Sequence, residues 1–149
     1  MIRKVLPPPA WALFIALAML ALHRFWPGAT LLTPPWTAVG ALPAASGLAL
    51  AIAAARLFVK ARTALEPWKQ PTAFVATGPY RLTRNPMYLG LASGLLGFAL
   101  WLGSLTPMLL LPVFPLVITH MFIRPEEAGL EALFGEPYRR YKARVRRWI

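Results

Sequence analysis

Residues 87–123 read MYLGLASGLLGFALWLGSLTPMLLLPVFPLVITHMFI and contain no Lys, Arg, Asp or Glu. A membrane-spanning helix needs about 20 mostly apolar residues, so this stretch is long enough for two such helices. Near its middle, the segment Leu102-Gly103-Ser104-Leu105 carries the residue types of a turn. The sequence therefore predicts a tight helical hairpin, with spans from about Met87 to Trp101 and from about Thr106 to Ile123.

The second arm of this hairpin contains Pro107, Pro112 and Pro115. Proline inside a span is tolerated where neighbouring groups satisfy the carbonyls that it frees. Three prolines predict a kinked or partly unwound helix beside a cavity. In the alternative interpretation Pro107 only begins the helix, where proline is favoured, and two prolines remain to be explained.

Two further apolar runs precede the hairpin. The first lies between Pro7-Pro8-Pro9 and Trp26, with residues 10–22 free of charge. The second runs from Trp36 to Val59, is rich in Ala, and includes the small residues Gly40, Ser46 and Gly47. We expect the first run to remain as a span, not a cleaved signal peptide, because prolines separate it from Arg3-Lys4 and no A-x-A site follows it.

The composition agrees with a membrane protein. The 149 residues are 58% hydrophobic and 14% charged, against about 25% charged in soluble domains, and the net charge is +11. This excludes a disordered polar chain and disfavours a soluble globule. We predict a single all-α membrane domain over residues 1–149: a bundle of four spans with a cytoplasmic loop and an amphipathic C-terminal helix. Residues 1–59 form two N-terminal spans, and residues 60–149 form the functional core.

The basic residues orient this bundle. With both termini in the cytoplasm, fifteen of the 16 Lys and Arg residues lie on the cytoplasmic side and Arg24 alone lies outside, as the positive-inside rule requires. The fifteen are Arg3, Lys4, Arg56, Lys60, Arg62, Lys69, Arg81, Arg84, Arg124, Arg139, Arg140, Lys142, Arg144, Arg146 and Arg147. This placement by sidedness also disfavours nucleic-acid binding.

Few reactive side chains are available for catalysis. The chain has two His, five Glu, no Asp and no Cys. A Ser-His-Asp triad, a thiolate nucleophile and a Cys- or His-rich zinc site are therefore excluded, and we predict no metal. The two histidines, His23 and His120, are expected near opposite membrane faces. His120 is a candidate for substrate binding because an ionisable residue within a span is often functional.

Two segments concentrate the polar residues. Residues 77–90, TGPYRLTRNPMYLG, lead into the third span, and residues 124–141, RPEEAGLEALFGEPYRRY, follow the fourth. Local structure alone explains much of both. Asn85 and Pro86 suit a helix start, and Pro125 with the acidic pair after it suits another helix, which Gly135 would end. However, four of the five Glu residues fall between positions 126 and 136, and two adjacent carboxylates in a basic protein suit a cation or ribose hydroxyls.

Together the two segments resemble the isoprenylcysteine carboxyl methyltransferase family, which is grouped with the membrane phospholipid methyltransferases. The resemblance covers residues 63–149 in order and spacing. It implies transfer of a methyl group from S-adenosylmethionine, leaving S-adenosylhomocysteine, in a cytoplasmic pocket over the last two spans, with a lipidic acceptor entering from the bilayer. One departure is Asn85, where the family usually has histidine, because an amide can bond but cannot carry charge.

The resemblance also implies site residues. Arg124 would bind the acceptor's carboxylate. Independently of the resemblance, Glu127 is a second catalytic candidate, as a base for an amine acceptor, and His120 is a second substrate-binding candidate because it lies within a span. The residues expected to bind the cofactor are Thr72, Ala73, Phe74, Val75, Tyr80, Arg84, Asn85, Pro86, Met87, Tyr88 and Glu126.

A prenylcysteine-type carboxylate is the preferred acceptor because it is ionised at neutral pH and needs no general base. A sulfonium methyl is already activated, so positioning is the main requirement. Three alternatives stay open: N-methylation of a phospholipid amine with Glu127 or His120 taking the proton, an NADPH-dependent sterol-type membrane reductase, and a non-catalytic protein whose basic, aromatic tail binds lipid.

Overall fold

The computed structural model describes residues 6–62 and 72–149, and these are helical apart from short connections. The helices are α1 (Pro8–Phe25), α2 (Ala41–Lys60), α3 (Pro86–Leu102), α4 (Leu105–Leu109), α5 (Val113–Ile118) and α6 (Arg124–Arg144), with a 3-10 turn at Trp36–Gly40, another at Gly78–Arg81 and a π-helical turn at Thr119–Ile123. Within the described ranges the one β-type pairing is an isolated bridge between Thr30 and Ser104. The predicted all-α fold class is confirmed.

Three helical stretches are long and apolar enough to cross a membrane: Pro8–Phe25, Trp36–Lys60 and Leu105–Arg144, which includes α4, α5 and α6. The fourth, Pro86–Leu102, is apolar but has 17 residues, at the short end of what spans a bilayer. The first three predicted spans agree with these stretches to within a few residues. The stretch from Leu105 contains the predicted fourth span, residues 106–123, and continues 21 residues beyond it. Of the basic residues used to orient the chain, Arg3, Lys4 and Lys69 lie outside the described residues.

The helices run in alternating directions. The C-terminal end of α1 meets the turn between α3 and α4, where His23 Nδ1 lies 2.8 Å from Ser104 Oγ and Thr106 Oγ1 donates to the Trp26 carbonyl over 2.7 Å. The C-terminal end of α2, the start of α3 and helix α6 occupy the opposite end. This arrangement puts the start of α1 and the whole of α6 on one side. That this side is cytoplasmic stays a prediction.

Glycines bring α2 and α3 into close contact. A Cβ atom at Gly47 would collide with the Gly90 carbonyl oxygen, and one at Gly40 would collide with that of Gly97. Small residues at such positions allow two helix backbones to approach, which improves packing in a membrane. Two small residues of the second span, Gly40 and Gly47, therefore contact α3 of the same chain.

The hairpin turn forms as predicted, and the fourth span is interrupted. Gly103 ends α3 in the left-handed conformation (φ 71°), and a Cβ there would collide with the Leu32 carbonyl. Pro107 lies in the first turn of α4, where its missing N–H leaves no bond unmade. The break falls at residues 110–112, ahead of α5, and a π-helical turn follows. The prediction of a kinked or partly unwound helix is confirmed, but the cavity expected beside it is not, since the groove found in the structure is lined by α1, α2 and α3.

The prediction that Gly135 closes the helix that begins near Pro125 is confirmed. α6 begins at Arg124, continuous with the π-helical turn, and its helical backbone is interrupted at Gly135 (φ 55°, ψ −128°); a second helical part then runs to Arg144. Glycine adopts this left-handed backbone without a Cβ clash. Because Pro137 then falls in the first turn after the kink, it needs no N–H partner and the helix resumes.

Candidate functional site

The two polar segments meet where α3 and α6 begin. Tyr88, in the first turn of α3, donates its phenolic hydrogen to Glu126 Oε1 over 2.7 Å. Glu126 lies just beyond the apolar segment that ends at Ile123, and Tyr88 is buried. Within the described residues, Glu126 has one hydrogen-bond partner, the phenol of Tyr88. The rest of its carboxylate is therefore available to a ligand.

Burial governs the acidity of Glu126. It raises the pKa of this carboxyl from 4.5 to about 7; the Tyr88 hydrogen bond opposes the rise and the charge of Glu127 adds to it. A carboxyl with a pKa near 7 exists in both protonation states at physiological pH. Glu126 can therefore act as a hydrogen-bond acceptor toward hydroxyls or exchange a proton.

Glu127, the neighbouring residue, has a different environment. Its side chain is 8% exposed and pairs with Arg84 Nη2 at 2.8 Å and with Arg147 Nη2 at 2.6 Å. Burial by itself raises the pKa of Glu127, but the Arg147 hydrogen bonds and the charges of Arg84, Arg147 and Lys142 outweigh it and lower the pKa overall. This carboxylate stays ionised and neutralised by its partners.

The chain's C-terminal residues lie across the turn that precedes α3. The Arg146 carbonyl accepts the Arg84 backbone N–H over 2.9 Å. The Arg147 carbonyl accepts bonds from Thr83 Oγ1 at 3.1 Å and from Asn85 Nδ2 at 2.9 Å. Asn85 was predicted to begin the helix and does precede it, but its side chain makes no capping bond and binds the tail instead.

Aromatic side chains connect the loop before α3 to α6. The Phe74 ring lies 5.2 Å from that of Phe134, 5.8 Å from that of Tyr138 and 5.9 Å from that of Tyr141, measured between ring centroids. Tyr141 also donates its hydroxyl hydrogen to the Tyr80 carbonyl over 2.7 Å. The predicted cofactor segment is thereby held against α6.

Tyr80 is buried beside this cluster, with its ring 5.6 Å from that of Phe58. Burial, reinforced by the neighbouring Tyr141 and by the negative charge of Glu126, raises the pKa of the Tyr80 phenol. Tyr80 is therefore neutral at physiological pH and close enough to Glu126 for its charge to matter. The structure brings these two predicted residues into one region.

The other predicted residues differ in placement. Thr72 donates its hydroxyl hydrogen to the Arg62 carbonyl over 3.2 Å, and Ala73 and Val75 are half-buried. Pro86 is buried at the start of α3, with Met87 half-buried after it. Arg124 and His120 are both exposed, and the ion pairs of Glu127 within the described residues are with Arg84 and Arg147.

A separate apolar groove of about 310 Å³ lies between α1, α2 and α3. On α3 it extends from Gly90 to Phe98, a rise of about 12 Å. A Cβ atom added at Gly94, one of its lining residues, would meet no atom within 4 Å. The groove is within the membrane-spanning part and begins less than a turn from Tyr88.

The sequence analysis did not single out Arg147, which belongs to the site as directly as Arg84. Arg147 stands in a run of basic residues that the positive-inside rule already explained, so nothing distinguished it from Arg144 or Arg146. The sequence offered one signal: a carboxylate that is buried in a basic segment requires cationic partners. Which arginine supplies them depends on where the chain folds back.

The comparisons with known proteins define the class. Residues 35–137, more than half of the chain, match the profile of the phospholipid methyltransferase family. This is a class of membrane methyltransferases. The chain belongs to the phospholipid methyltransferase family, as the resemblance implied.

One relative is an uncharacterized protein of Haemophilus influenzae, 49% identical over 63 residues, which make up 42% of this chain and the whole of that protein. No solved structure matches the chain significantly.

Proposed function

We propose that this protein transfers a methyl group from S-adenosylmethionine to the head group of a membrane lipid or lipidated acceptor at the end of the bundle formed by α3 and α6. The observation that carries the proposal is the Tyr88–Glu126 pair, a buried phenol bonded to a carboxyl that is otherwise available, at the base of an apolar hairpin.

The side chains around this pair suit the cofactor. A carboxylate such as that of Glu126 accepts hydrogen bonds from ribose hydroxyls, and aromatic side chains such as Phe74 offer a stacking surface for a purine. The Nε of Arg84 is buried and has no hydrogen-bond partner within the described residues, so it can bind the carboxylate of an amino-acid moiety. When bound, S-adenosylmethionine supplies an electrophilic methyl group; the protein's part is to position both reactants.

The proposed first acceptor is a prenylcysteine-type carboxylate. Such an acceptor needs no base, and Glu127, whose charge two arginines already neutralise, is a poor base. Arg124 is exposed where the fourth span ends, and its guanidinium can orient a carboxylate through two parallel hydrogen bonds. The apolar groove beside α3 offers a place for the acceptor's hydrocarbon chain.

The second candidate acceptor is a phospholipid amine. The observation that favours it is the raised pKa of Glu126, about 7, because a carboxylate of that basicity can accept the proton that an ammonium group must lose before methylation. In this case Glu126, and not the Glu127 or His120 of the sequence-based alternative, is the base.

A methylation assay separates the acceptors. The detergent-purified protein is incubated with radiolabelled S-adenosylmethionine and either a farnesylcysteine analogue or phosphatidylethanolamine vesicles. Label in the first product supports the carboxylate acceptor, and label in the second supports the amine. Label in neither, across both acceptors and total membrane lipids, contradicts the proposal.

Cofactor binding is tested independently by calorimetric titration with S-adenosylhomocysteine and with NADPH. We expect the wild type to bind S-adenosylhomocysteine and Glu126→Gln to bind it at least about tenfold more weakly while staying folded. Glu136→Gln, an exposed acid on the same helix, is the matched control and should bind normally. Binding of NADPH alone would favour the reductase alternative and overturn the proposal.

A further inference from the structure

The C-terminal tail, residues 145–149, contacts three elements at once: the turn before α3, the first turn of α6 and the π-helical turn. Its backbone carbonyls at Arg146 and Arg147 accept bonds from the turn before α3. The Arg147 side chain binds Glu127 in the first turn of α6. The Trp148 indole donates to Thr119 Oγ1 in the π-helical turn over 3.1 Å. The tail therefore ties together elements that are distant in sequence.

The contact between Arg147 and Glu127 is a two-point interaction. Nε of Arg147 donates to Oε1 at 3.0 Å and Nη2 donates to Oε2 at 2.6 Å. This fork fixes the orientation of a carboxylate as well as its position, which a lysine ammonium cannot do. Because Arg84 also donates to Oε1, Glu127 joins the tail to the turn that precedes α3.

These contacts fix both members of the Tyr88–Glu126 pair. Asn85, bonded to the Arg147 carbonyl, is three residues before Tyr88 on the chain. Glu127, bonded to the Arg147 side chain, is adjacent to Glu126. One residue thus restrains the two helix starts that present the phenol and the carboxyl to each other.

We infer that Arg147 is a positioning residue, which aligns Tyr88 and Glu126 for the cofactor by clamping the starts of α3 and α6 through Glu127 and Asn85. Arg147 touches no reacting group. Arg147 acts on binding through the geometry of the Tyr88–Glu126 pair. The inference rests on the proposed function only for the identity of the ligand.

The experiment compares the full-length variants Arg147→Gln, Arg147→Lys and Glu127→Gln with wild type, each in detergent at a temperature where circular dichroism shows it folded. Arg144→Gln is the matched control, because Arg144 is exposed and its side chain bonds only to the Arg140 carbonyl in the described structure. The ligand is S-adenosylhomocysteine, measured by calorimetric titration.

We expect Arg147→Gln to weaken binding at least about tenfold, since small misplacements of binding groups have large effects. Arg147→Lys should recover part of this loss by restoring charge without the fork, and Arg144→Gln should match wild type. The double variant Arg147→Gln/Glu127→Gln should bind no more weakly than either single variant, because both remove the same link. A folded Arg147→Gln protein with wild-type affinity, or a fully additive double variant, overturns the inference.

A second readout needs no ligand. Hydrogen exchange over residues 83–89 should speed up at least about threefold in Arg147→Gln and stay unchanged in Arg144→Gln. Without the Arg147–Glu127 fork the tail is held less firmly, and its Arg146 and Arg147 backbone carbonyls, which accept bonds from this turn, restrain the turn less. If the wild type binds no S-adenosylhomocysteine, the proposed function fails, and hydrogen exchange alone decides the clamp: faster exchange supports it and unchanged exchange overturns it.

Discussion

Replacing Glu127 with Gln tests how much the buried ion pair stabilises the fold. The substitution keeps the size of the side chain and removes its charge. It leaves Arg84, which is 10% exposed, without a counter-charge, and frees Arg147, which is 33% exposed. Removing one partner from a buried pair typically costs about 3–5 kcal/mol because the other charge stays buried.

The exposure of Arg147 sets the expected size. Water can solvate this guanidinium again after the substitution, so we expect the lower end of the range, about 3 kcal/mol. For a chain of this length, each kcal/mol changes the melting temperature by about 2–4 °C. Glu127→Gln should therefore melt roughly 6–12 °C below wild type.

The assay is thermal unfolding in detergent, followed by circular dichroism. Glu131→Gln is the matched control: Glu131 lies on the same helix and pairs with Lys142 at 2.7 Å, but that pair is substantially exposed, so its loss should change the melting temperature little. Equal melting temperatures for Glu127→Gln and Glu131→Gln would refute the argument that burial makes the Glu127 pairs important.

The pH dependence supplies a further check. Because the folded pKa of Glu127 is below its ordinary value of 4.5, its stabilising contribution is complete above that value and disappears as the pH falls through the folded pKa. The difference between wild type and Glu127→Gln should accordingly narrow as the pH drops below 4.5. A difference that stays constant down to acid pH would contradict the assignment.

Three more outcomes are expected. Since the pKa of Glu126 rises from 4.5 to about 7 on folding, the wild type should lose roughly 3 kcal/mol of stability as the pH increases from 4.5 to about 7. Melting curves of Glu126→Gln, which cannot titrate at this position, should lack this loss. In Tyr88→Phe the loss should continue to a higher pH, because the hydrogen bond that lowers the pKa of Glu126 is gone. Gly47→Leu should destabilise the fold by about 3 kcal/mol or more, because its side chain collides with the α3 backbone, whereas Gly94→Leu, which enters open space, should melt like wild type; similar melting of the two would contradict the packing. Gly94→Leu should also raise the KM for the lipid acceptor several-fold in the methylation assay without changing affinity for S-adenosylhomocysteine, and an unchanged KM would exclude the groove as the site of the hydrocarbon chain.

Much of the architecture could be predicted because the membrane restricts the choices. A chain crossing a bilayer must satisfy its backbone polar groups internally, so long apolar runs become helices. The uncharged stretch at residues 87–123 therefore indicated two spans, and Gly103 indicated the turn between them. Gly135 likewise indicated the end of the helix that begins near Pro125, and the backbone at Gly135 is not helical. The contacts of Phe74 with the aromatic side chains of α6 were not predictable, because they depend on where the loop before α3 lies.

The site was predictable in composition and only partly in pairing. Two adjacent glutamates beside a basic segment marked residues 126 and 127 as important, but the sequence offered no reason to assign them different environments. Tertiary structure separates them: Glu126 meets the phenol of Tyr88, and Glu127 meets two arginines. The side chains of successive residues on a helix point about 100° apart, so the two carboxylates meet different neighbours.

The sequence alone determined that this is an all-helical membrane protein with its polar residues at one end, because hydrophobicity and charge act through local composition. Tertiary structure alone decided that Arg147 joins Glu127, that Asn85 binds the tail carbonyl, and that Gly40 and Gly47 meet the glycines of α3. Those contacts link residues up to 62 positions apart, and their formation depends on how the chain folds back, which no local pattern specifies.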